Sequence, residues 1–343
     1  MTDRNEVLYC SEMGLKIMLD SYGRVIDYLR IAVTDRCNFR CSYCMPPEGV
    51  PLLEHGEVLS YEELLRVITI LGHHGVSKIR LTGGEPLVRK GIVEFVRSVK
   101  GIGSVKDLAM TSNGSLLGNM AYELKQAGLD RVNISMDTNN PEEFSSITGR
   151  GKLEDVVKGI TSAIDVGLNP VKLNVVVTEV LSEEDVYSFI DQVYQFPLAV
   201  RFIEYMPIGR SCVRGGSSIG AIKEMINKAG RGMLESTINV WGNGPARYYR
   251  LPHALGVFGF ITPMSEHFCH SCNRIRLTAD GKLKPCLLTN HEIDIKTALR
   301  DGSSDRKIAE LFFKALEDKP MGHILNNSRG GADLIRNMSQ VGG

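Results

Sequence analysis

The chain has 343 residues, of which 43% are hydrophobic and 23% are charged, a composition that excludes an intrinsically disordered protein. Its 40 Lys and Arg residues balance 40 Asp and Glu residues, so no net charge recruits nucleic acid or an anionic membrane surface. No apolar run approaches about 18 residues and the first residues lack the apolar core of a signal peptide, so we expect a soluble, cytoplasmic protein.

Residues 1–20 show no clear hydrophobic period and are assigned to an N-terminal extension. In residues 21–209, short β-rich runs alternate with amphipathic segments long enough for crossover helices, which is typical of βα units around a parallel sheet. The predicted strands are Ile26–Val33, Lys78–Thr82, Lys106–Thr111, Arg131–Met136, Val171–Val177 and Ala199–Tyr205. The predicted helices are Tyr61–His73, Gly91–Lys100, Leu116–Ala127, Leu153–Val166 and Glu183–Tyr194. This order predicts the α/β class and an incomplete (β/α)6 barrel of the TIM type.

After Met206 the pattern changes to Gly-rich connections, which indicates a smaller α+β domain over residues 210–321. Asp280-Gly281 is a hairpin-turn signal that folds Leu283–Leu287 back on the strand before it. The Gly-rich residues 322–343 are predicted to be a loosely structured tail. The other predicted elements of this domain are a helix at Ile219–Ala229 and strands at Ala246–Arg250, Val257–Ile261 and Arg274–Thr278.

In the six barrel strands, polar residues alternate with apolar ones; Arg30, for example, lies between Leu29 and Ile31. If helices cover the apolar face, the polar face lines the lumen of the barrel. Closed barrels normally fill the lumen with branched apolar side chains, so a polar lumen indicates a large, charged ligand. The alternative is an antiparallel sheet with one wet face. The same alternation assigns to the polar face Arg80, Thr111, Asn133, Ser135, Lys172, Asn174 and Glu204.

Three cysteines, Cys37, Cys41 and Cys44, follow the first predicted strand, at the end where barrel enzymes place their active sites. Cysteine thiolates are the usual ligands of iron–sulfur clusters, and a short loop can supply three of them. A structural zinc site takes four protein ligands, whereas three thiolates leave one iron of a 4Fe–4S cluster open. Zinc binding is the alternative. Cys10 and Cys212 stand alone and are expected to be free thiols.

A second triad is formed by Cys269, Cys272 and Cys286, the last after 13 intervening residues. The predicted hairpin places Cys286 opposite Ile275, and ideal pairing then turns it away from the other two cysteines. His267 or His270 could instead complete a zinc site with this triad. Arg274 and Arg276 are alternate residues of one strand, point the same way and could hold an anion.

The first triad, with Tyr43 before its last cysteine, resembles the cluster motif of the radical S-adenosylmethionine superfamily. The second hallmark of that superfamily is Gly83-Gly84-Glu85-Pro86, which follows the second predicted strand here. The resemblance implies that the open iron chelates S-adenosylmethionine and that an electron from the cluster cleaves it to a 5′-deoxyadenosyl radical. Glycines in the second motif would let the backbone approach the methionine ammonium group.

Both triads in this order resemble the GTP 3′,8-cyclase family of that superfamily, from about Tyr22 to Gly343. The resemblance implies a lyase that converts GTP to (8S)-3′,8-cyclo-7,8-dihydro-GTP, the first step of molybdenum cofactor biosynthesis. It implies two 4Fe–4S clusters and S-adenosylmethionine as cofactors, with the open iron of the second cluster facing the guanine.

The resemblance also assigns roles to individual residues. The ligands of the two clusters are Cys37, Cys41 and Cys44, and Cys269, Cys272 and Cys286. The contacts to S-adenosylmethionine are Tyr43, Gly84, Ser135 and Met206. The contacts to the nucleotide are Arg30, Arg80, Thr111, Lys172, Arg274, Ile275 and Arg276. The catalytic set is Cys37, Cys41, Cys44, Arg274, Arg276, Gly342 and Gly343, the last two because the family's terminus reaches into the active site.

The partners implied are GTP, a flavodoxin-like or ferredoxin-like electron donor and a downstream enzyme that takes the product. No nucleic acid or membrane partner is expected, and a homodimer is compatible with the sequence. Two rival functions are a radical enzyme acting on a peptide and a non-catalytic iron–sulfur carrier or zinc-binding module. The basic residues argue against the first rival, and the long barrel with its polar lumen argues against the second.

Overall fold

The computed structural model describes residues 9–10, 15–16, 18–209, 213–237, 242, 244–323 and 334–342. The strands are β1 Tyr9–Cys10, β2 Leu15–Lys16, β3 Tyr28–Ala32, β4 Lys78–Thr82, β5 Asp107–Ser112, β6 Arg131–Ser135, β7 Lys172–Val177, β8 Ala199–Glu204, β9 Glu235–Thr237, β10 Arg247–Arg250, β11 Val257–Ile261, β12 Arg274–Leu277, β13 Lys282–Lys284 and β14 Ile293–Asp294. The helices are α1 Tyr61–Gly72, α2 Ile92–Lys100, α3 Leu117–Gln126, α4 Pro141–Thr148, α5 Leu153–Asp165, α6 Glu183–Gln195, α7 Ile219–Lys228, α8 Lys296–Arg300, α9 Asp305–Glu317 and α10 Met338–Val341. Within these residues, no helix is long and apolar enough to cross a membrane.

The strands β3 to β8 lie side by side in chain order, and each pairs with its neighbour in parallel. The predicted parallel βα pattern is therefore confirmed, and the antiparallel alternative is wrong. The register aligns Arg30 with Arg80 across β3 and β4, and Asn174 with Arg201 across β7 and β8.

The helices are amphipathic and cover the outer, apolar face of these strands, as α1 illustrates. Ser60 caps its first turn in a reciprocal capping box with Glu63, in which the carboxylate accepts from the Ser60 N–H at 2.7 Å. Leu64, Ile68 and Leu71 recur at helical spacing and are buried in the core. Because the apolar face of each strand is taken by such helices, the polar face is left to point inward.

The strands that follow Met206 do not form a separate sheet in the described part of the chain. β11 pairs in parallel with β8, and β12 pairs in parallel with β3, so the parallel run is extended at both edges. The resulting order is β14-β13-β12-β3-β4-β5-β6-β7-β8-β11-β10-β9, a mixed sheet because β9, β10, β13 and β14 pair antiparallel.

The predicted hairpin forms, but its register differs by one residue from the expectation. The ladder aligns Arg276 with Lys284, and Thr278 N–H donates to the Lys282 carbonyl at 2.9 Å. The connection is therefore a three-residue loop, in which Gly281 adopts a left-handed φ of 76°, and not a two-residue turn. Extended past Lys284, this register puts Cys286 on the same face as Arg274 and Arg276. The orientation of Cys286, which the sequence left open, is therefore toward the other two cysteines.

The lumen position predicted for Glu204 is also wrong. Its carboxylate accepts the backbone N–H groups of Met264 at 2.7 Å and Ser265 at 2.9 Å, at the end of β8. Arg201 and Ile203 line the interior cavity instead. The alternation was hidden in this strand because the inward set includes apolar Ile203 and small Ala199.

The last described residues, 334–342, are ordered against the rest of the fold and not the loose tail that the sequence predicts. Ser339 and Val341 of α10 are buried at 2% and 3% exposure. Residues 324–333 and Gly343 lie outside the described residues, as do Cys212 and the side chain of Cys10.

Candidate active site

A cavity with about 1190 Å³ of empty space, its mouth included, lies on the inner face of the sheet. It is lined by side chains from both ends of the parallel run and by the second cysteine triad. The residues on the strands that line it are Tyr28, Arg30, Arg80, Thr111, Asn133, Asn174, Arg201, Ile203, Ile261, Arg274 and Arg276. Of the residues that strand alternation assigned to the polar lumen, Arg30, Arg80, Thr111, Asn133 and Asn174 line this cavity, whereas Ser135 and Lys172 do not.

Buried guanidinium groups dominate the cavity wall. Arg80 donates to the Tyr28 hydroxyl and, at 3.3 Å, to the Thr111 hydroxyl, while Arg201 donates to the side-chain carbonyl of Asn174. Burial lowers the pKa of Arg201, and the charge of Arg80 lowers it further. The Nε atom of Arg201 is buried and has no hydrogen-bond partner. A buried donor without a partner is rare in folded proteins, so the wall is suited to a polyanionic ligand.

Lys172 lies in β7 beside this wall but is not among the residues that line the cavity. Its Nζ atom contacts the Tyr248 hydroxyl at 3.3 Å. Burial lowers its pKa to about 6, and the nearby charges of Arg201 and Arg131 act in the same direction. A bound anion would favour the protonated ammonium group here.

The first cysteine loop is short, and its three cysteines are half-buried. The loop contains a turn in which the N–H of Cys44 donates to the Cys41 carbonyl at 2.9 Å, and all three thiols are free. Burial raises the pKa of Cys44 to about 12 and also raises the pKa of Cys37. Tyr43 donates to the Asp137 carboxylate at 2.9 Å, and burial raises the pKa of Asp137 to about 6. Three thiols in one short loop match the donor set of an iron–sulfur cluster.

The Gly-Gly-Glu-Pro motif packs directly on this loop. Gly84 N–H donates to the Thr34 carbonyl, and Glu85 N–H to the Arg36 carbonyl, both at 2.8 Å. A Cβ atom on Gly84 would lie 2.2 Å from the Arg36 carbonyl oxygen. The close approach of two backbones therefore requires glycine here, whether or not a ligand is bound. Ser135 is half-buried at the end of β6.

The carboxyl group of Glu85 holds this motif against β5. It accepts the Asn113 N–H at 2.6 Å, the Leu87 N–H at 3.0 Å and the Ser112 hydroxyl at 2.9 Å. Burial nevertheless raises the pKa of Glu85 from 4.5 to about 7. The carboxyl group therefore lies at the junction of the two motifs and titrates near neutral pH.

We expect Glu85→Gln to flatten the pH dependence of unfolding in the cluster-free chain. Because the folded-state pKa is raised, the stability linked to this group is present below pH 4.5 and is lost as the pH rises through about 7. The loss amounts to about 3 kcal/mol. Urea unfolding across this pH range measures it. Glu154→Gln, on the exposed face of α5, is the control; an unchanged slope in Glu85→Gln would contradict the assignment.

The three thiols of the second triad line the cavity. They lie on two segments, which we call the Cys272 arm (Cys269 and Cys272) and the Cys286 arm, and a buried lysine joins these two arms. Lys319 donates to the Arg274 carbonyl, next to the Cys272 arm, and to the Pro285 carbonyl, next to the Cys286 arm, both at 2.8 Å. Its Nζ atom also lies 3.6 Å from the Cys272 sulfur. Burial alone would raise the pKa of Cys272, but Arg274 and Lys319 outweigh it and lower the pKa to about 7.

The C-terminal residues connect the cavity to the first cysteine loop. Met338 lines the cavity, and the backbone of Ser339 lies beside Cys44, where it partly offsets the rise in the pKa of that thiol. The Gly342 carbonyl accepts a hydrogen bond from Arg276, which is buried in β12. Residues 338–342 therefore lie between the two triads.

The two triads lie at opposite ends of β3. Cys37 follows the carboxyl end of that strand, while Cys272 precedes Asn273, whose carbonyl accepts the Tyr28 N–H at its amino end. Five residues of strand separate these ends, roughly 17 Å at about 3.3 Å per residue. A ligand in the cavity is thus placed between two thiol triads.

Comparison with known proteins identifies the family. Residues 31–193 match the radical SAM superfamily, and residues 198–325 match the family described as Molybdenum Cofactor Synthesis C. The chain is 50% identical over 328 residues to the GTP 3′,8-cyclase of Heliobacterium modesticaldum, which covers 95% of this chain and 100% of that protein. This chain belongs to the GTP 3′,8-cyclase family. A second member, from Moorella thermoacetica, is 47% identical over the same shares of both chains.

Among solved structures, SuiB of Streptococcus suis bound to S-adenosylmethionine superposes with a TM-score of 0.59 at 14% identity. The match covers 84% of this chain and 69% of that one. At this identity the likeness shows the fold alone, an α/β fold with a mixed sheet.

Of the residues predicted to bind the nucleotide in the GTP 3′,8-cyclase family, Arg30, Arg80, Thr111, Arg274 and Arg276 line the cavity, and Lys172 lies beside it. Ile275 is fully buried in the apolar core and is not among the residues that line the cavity. Gly343 lies outside the described residues. Cavity residues without a predicted role include Tyr28, Arg201 and Lys319. The register between β7 and β8 would have predicted that Arg201 faces inward. No pattern in the sequence near Lys319 predicts its position in the cavity wall.

Proposed function

We propose that this chain converts GTP to (8S)-3′,8-cyclo-7,8-dihydro-GTP, the first step of molybdenum cofactor biosynthesis. The observation that carries the proposal is a cavity walled by buried arginines between two thiol triads. Family membership supports the same reaction, since relatives whose whole length matches 95% of this chain are named for it.

The proposed architecture is an incomplete (β/α)6 barrel over residues 21–209, with an auxiliary domain over 210–321 and a tail over 322–343. Its support is that Arg30 of β3 and Arg201 of β8, the first and last of the six proposed barrel strands, line one cavity. A flat sheet would hold strands five positions apart about 24 Å from each other, so the sheet must curve.

The proposed cofactors are S-adenosylmethionine and two 4Fe–4S clusters, one held by Cys37, Cys41 and Cys44, and one by Cys269, Cys272 and Cys286. When bound, the first cluster supplies the electron that makes S-adenosylmethionine a radical source. Tyr43, Gly84, Ser135 and Met206 are proposed to bind S-adenosylmethionine, because Gly84 adjoins the cysteine loop and Met206 lines the cavity.

The basic wall is proposed to bind the triphosphate, through Arg30, Arg80, Thr111, Lys172, Arg274 and Arg276, with Arg201 added from the structure. In the ligand-free chain the guanidinium groups of this wall repel each other, and burial removes water that would otherwise screen them. Phosphate oxygens relieve both costs, because guanidinium groups match them in charge and in hydrogen-bond geometry. The enclosed cavity also holds the reacting atoms together and excludes water from the reaction.

Anaerobic incubation of the reconstituted chain with GTP, S-adenosylmethionine and dithionite tests the reaction. Mass analysis is expected to find 5′-deoxyadenosine and a cyclised nucleotide with the mass of GTP. A Cys44→Ala variant is the control and should form neither product. Formation of 5′-deoxyadenosine without any GTP-derived product would contradict the proposed substrate and favour another, such as a peptide.

We expect Arg201→Met to weaken GTP binding at least about tenfold, or about 1.4 kcal/mol, because a phosphate-binding donor is lost. The same substitution removes a charge that is repelled by Arg80, so the ligand-free chain should be no less stable. Calorimetric titration with GTP and thermal unfolding measure the two effects. The control is Arg231→Met, because Arg231 is an exposed arginine paired with Asp191. Unchanged GTP affinity in Arg201→Met would remove this residue from the site.

The partners beyond GTP remain proposals that rest on the family resemblance. They are a flavodoxin-like or ferredoxin-like reductant, an enzyme that consumes the product, and a second copy of the chain in a homodimer.

A further inference from the structure

Two histidines converge on one cysteine of the second triad. His267, Cys269 and His323 each offer one ligand atom, and these three atoms all lie within 4.8 Å of one another. The two imidazole rings are 4.3 Å apart between centroids and inclined at 77°. Edge-to-face packing of the rings keeps both beside the thiol.

A single backbone carbonyl orients both rings. The Pro263 oxygen lies 2.8 Å from Nδ1 of His267 and 2.8 Å from Nε2 of His323. Because a carbonyl only accepts, both of these nitrogens carry protons, which leaves His267 Nε2 and His323 Nδ1 with lone pairs. His323 Nδ1 is buried and has no hydrogen-bond partner. Histidines that bind metals in proteins almost always donate their other N–H in this way.

We propose that His267, Cys269 and His323 form a binding site for a divalent transition metal of the zinc type. One thiolate and two imidazoles are a donor set that selects such metals over Mg²⁺ and Ca²⁺. Three protein ligands leave the fourth tetrahedral position to water. On binding, the Cys269 thiol releases its proton to solvent while both imidazoles stay neutral.

This site shares Cys269 with the proposed second cluster but uses neither Cys272 nor Cys286. Zinc and the cluster therefore compete for one thiolate, and metal bound first at the histidines blocks cluster assembly. His270, which the sequence favoured equally as a zinc ligand, does not belong to the group of converging ligand atoms. Metal binding to the cluster-free chain does not depend on the GTP reaction.

Cobalt binding to the full, cluster-free chain tests the site, because tetrahedral Co²⁺ with a thiolate ligand gives visible d–d and charge-transfer bands. One equivalent is expected to bind, and zinc should displace it. His267→Ala and His323→Ala should each weaken binding at least about tenfold. The control His270→Ala and the double variant Cys272→Ala plus Cys286→Ala should bind as the unaltered chain does. Circular dichroism of each variant checks that it is folded.

The opposite pattern would overturn the proposal. Binding that survives in His267→Ala plus His323→Ala but is lost in Cys272→Ala plus Cys286→Ala would place the metal among the three cysteines. A second readout is the iron content after reconstitution of chain preloaded with zinc. It should fall by half in the unaltered chain and stay full in the double histidine variant; an equal fall in both would also overturn it.

Discussion

Replacement of Lys319 by Met is expected to remove half of the iron that the reconstituted chain holds, from about eight to about four atoms per chain. The buried ammonium group donates to one carbonyl on each arm of the second triad, and each such charged hydrogen bond contributes about 1.5–3 kcal/mol. Methionine fills a similar volume but leaves both carbonyls unsatisfied and removes the positive charge beside the Cys272 thiol. The arms should then separate and release the proposed second cluster, and GTP conversion should be lost with it.

The first cluster provides the internal control for this experiment. Reductive cleavage of S-adenosylmethionine should persist in Lys319→Met, because the loop of Cys37, Cys41 and Cys44 lies at the other end of β3. Lys314→Met, on the exposed face of α9, should keep all of the iron. Full iron content in Lys319→Met would contradict the role of this lysine, and loss of all iron would show that the substitution acts on the whole fold.

Local patterns predicted the parallel strands and their helices well, since these depend on residues close in sequence. β4 and β11 have the predicted bounds, and α1 differs from the prediction by one residue at its carboxyl end. Each strand presents an apolar face to its covering helices, so alternation along the chain was enough to place Arg30 and Arg80 inside. The helix α9 is absent from the predicted elements although Ser304 caps it and Ile308 begins its apolar period.

What the sequence could not provide depends on contacts between distant segments. The inward position of Arg201 follows from the pairing of β8 with β7 and not from alternation within β8. Cys286 faces the cavity because a third loop residue shifts the hairpin register. Lys319 and His323 act through Arg274 and Pro263, about 45 and 60 positions away along the chain, and such pairs leave no mark in a single sequence.

Gly342→Ala is expected to lower the rate of GTP conversion by about two orders of magnitude while leaving the iron content unchanged. Gly342 has a φ of 74°, and a Cβ atom there would lie 2.9 Å from the Thr82 methyl group. The strain of a left-handed φ at alanine and the collision with Thr82 both displace the carbonyl of residue 342 from Arg276. A displacement of about 1 Å at a reacting centre can cost about a hundredfold in rate.

The matched control is Gly302→Ala, because Gly302 has a similar φ of 83° but nothing within 4 Å of the added Cβ atom. Gly302→Ala bears the backbone strain alone at a site far from the cavity, and it should convert GTP at the normal rate. Pairing Gly342→Ala with Thr82→Ala separates the two causes, since the second change removes the colliding methyl group. Partial recovery in the double variant would show that the collision displaces the terminus, and a normal rate in Gly342→Ala itself would exclude the terminus from the reaction.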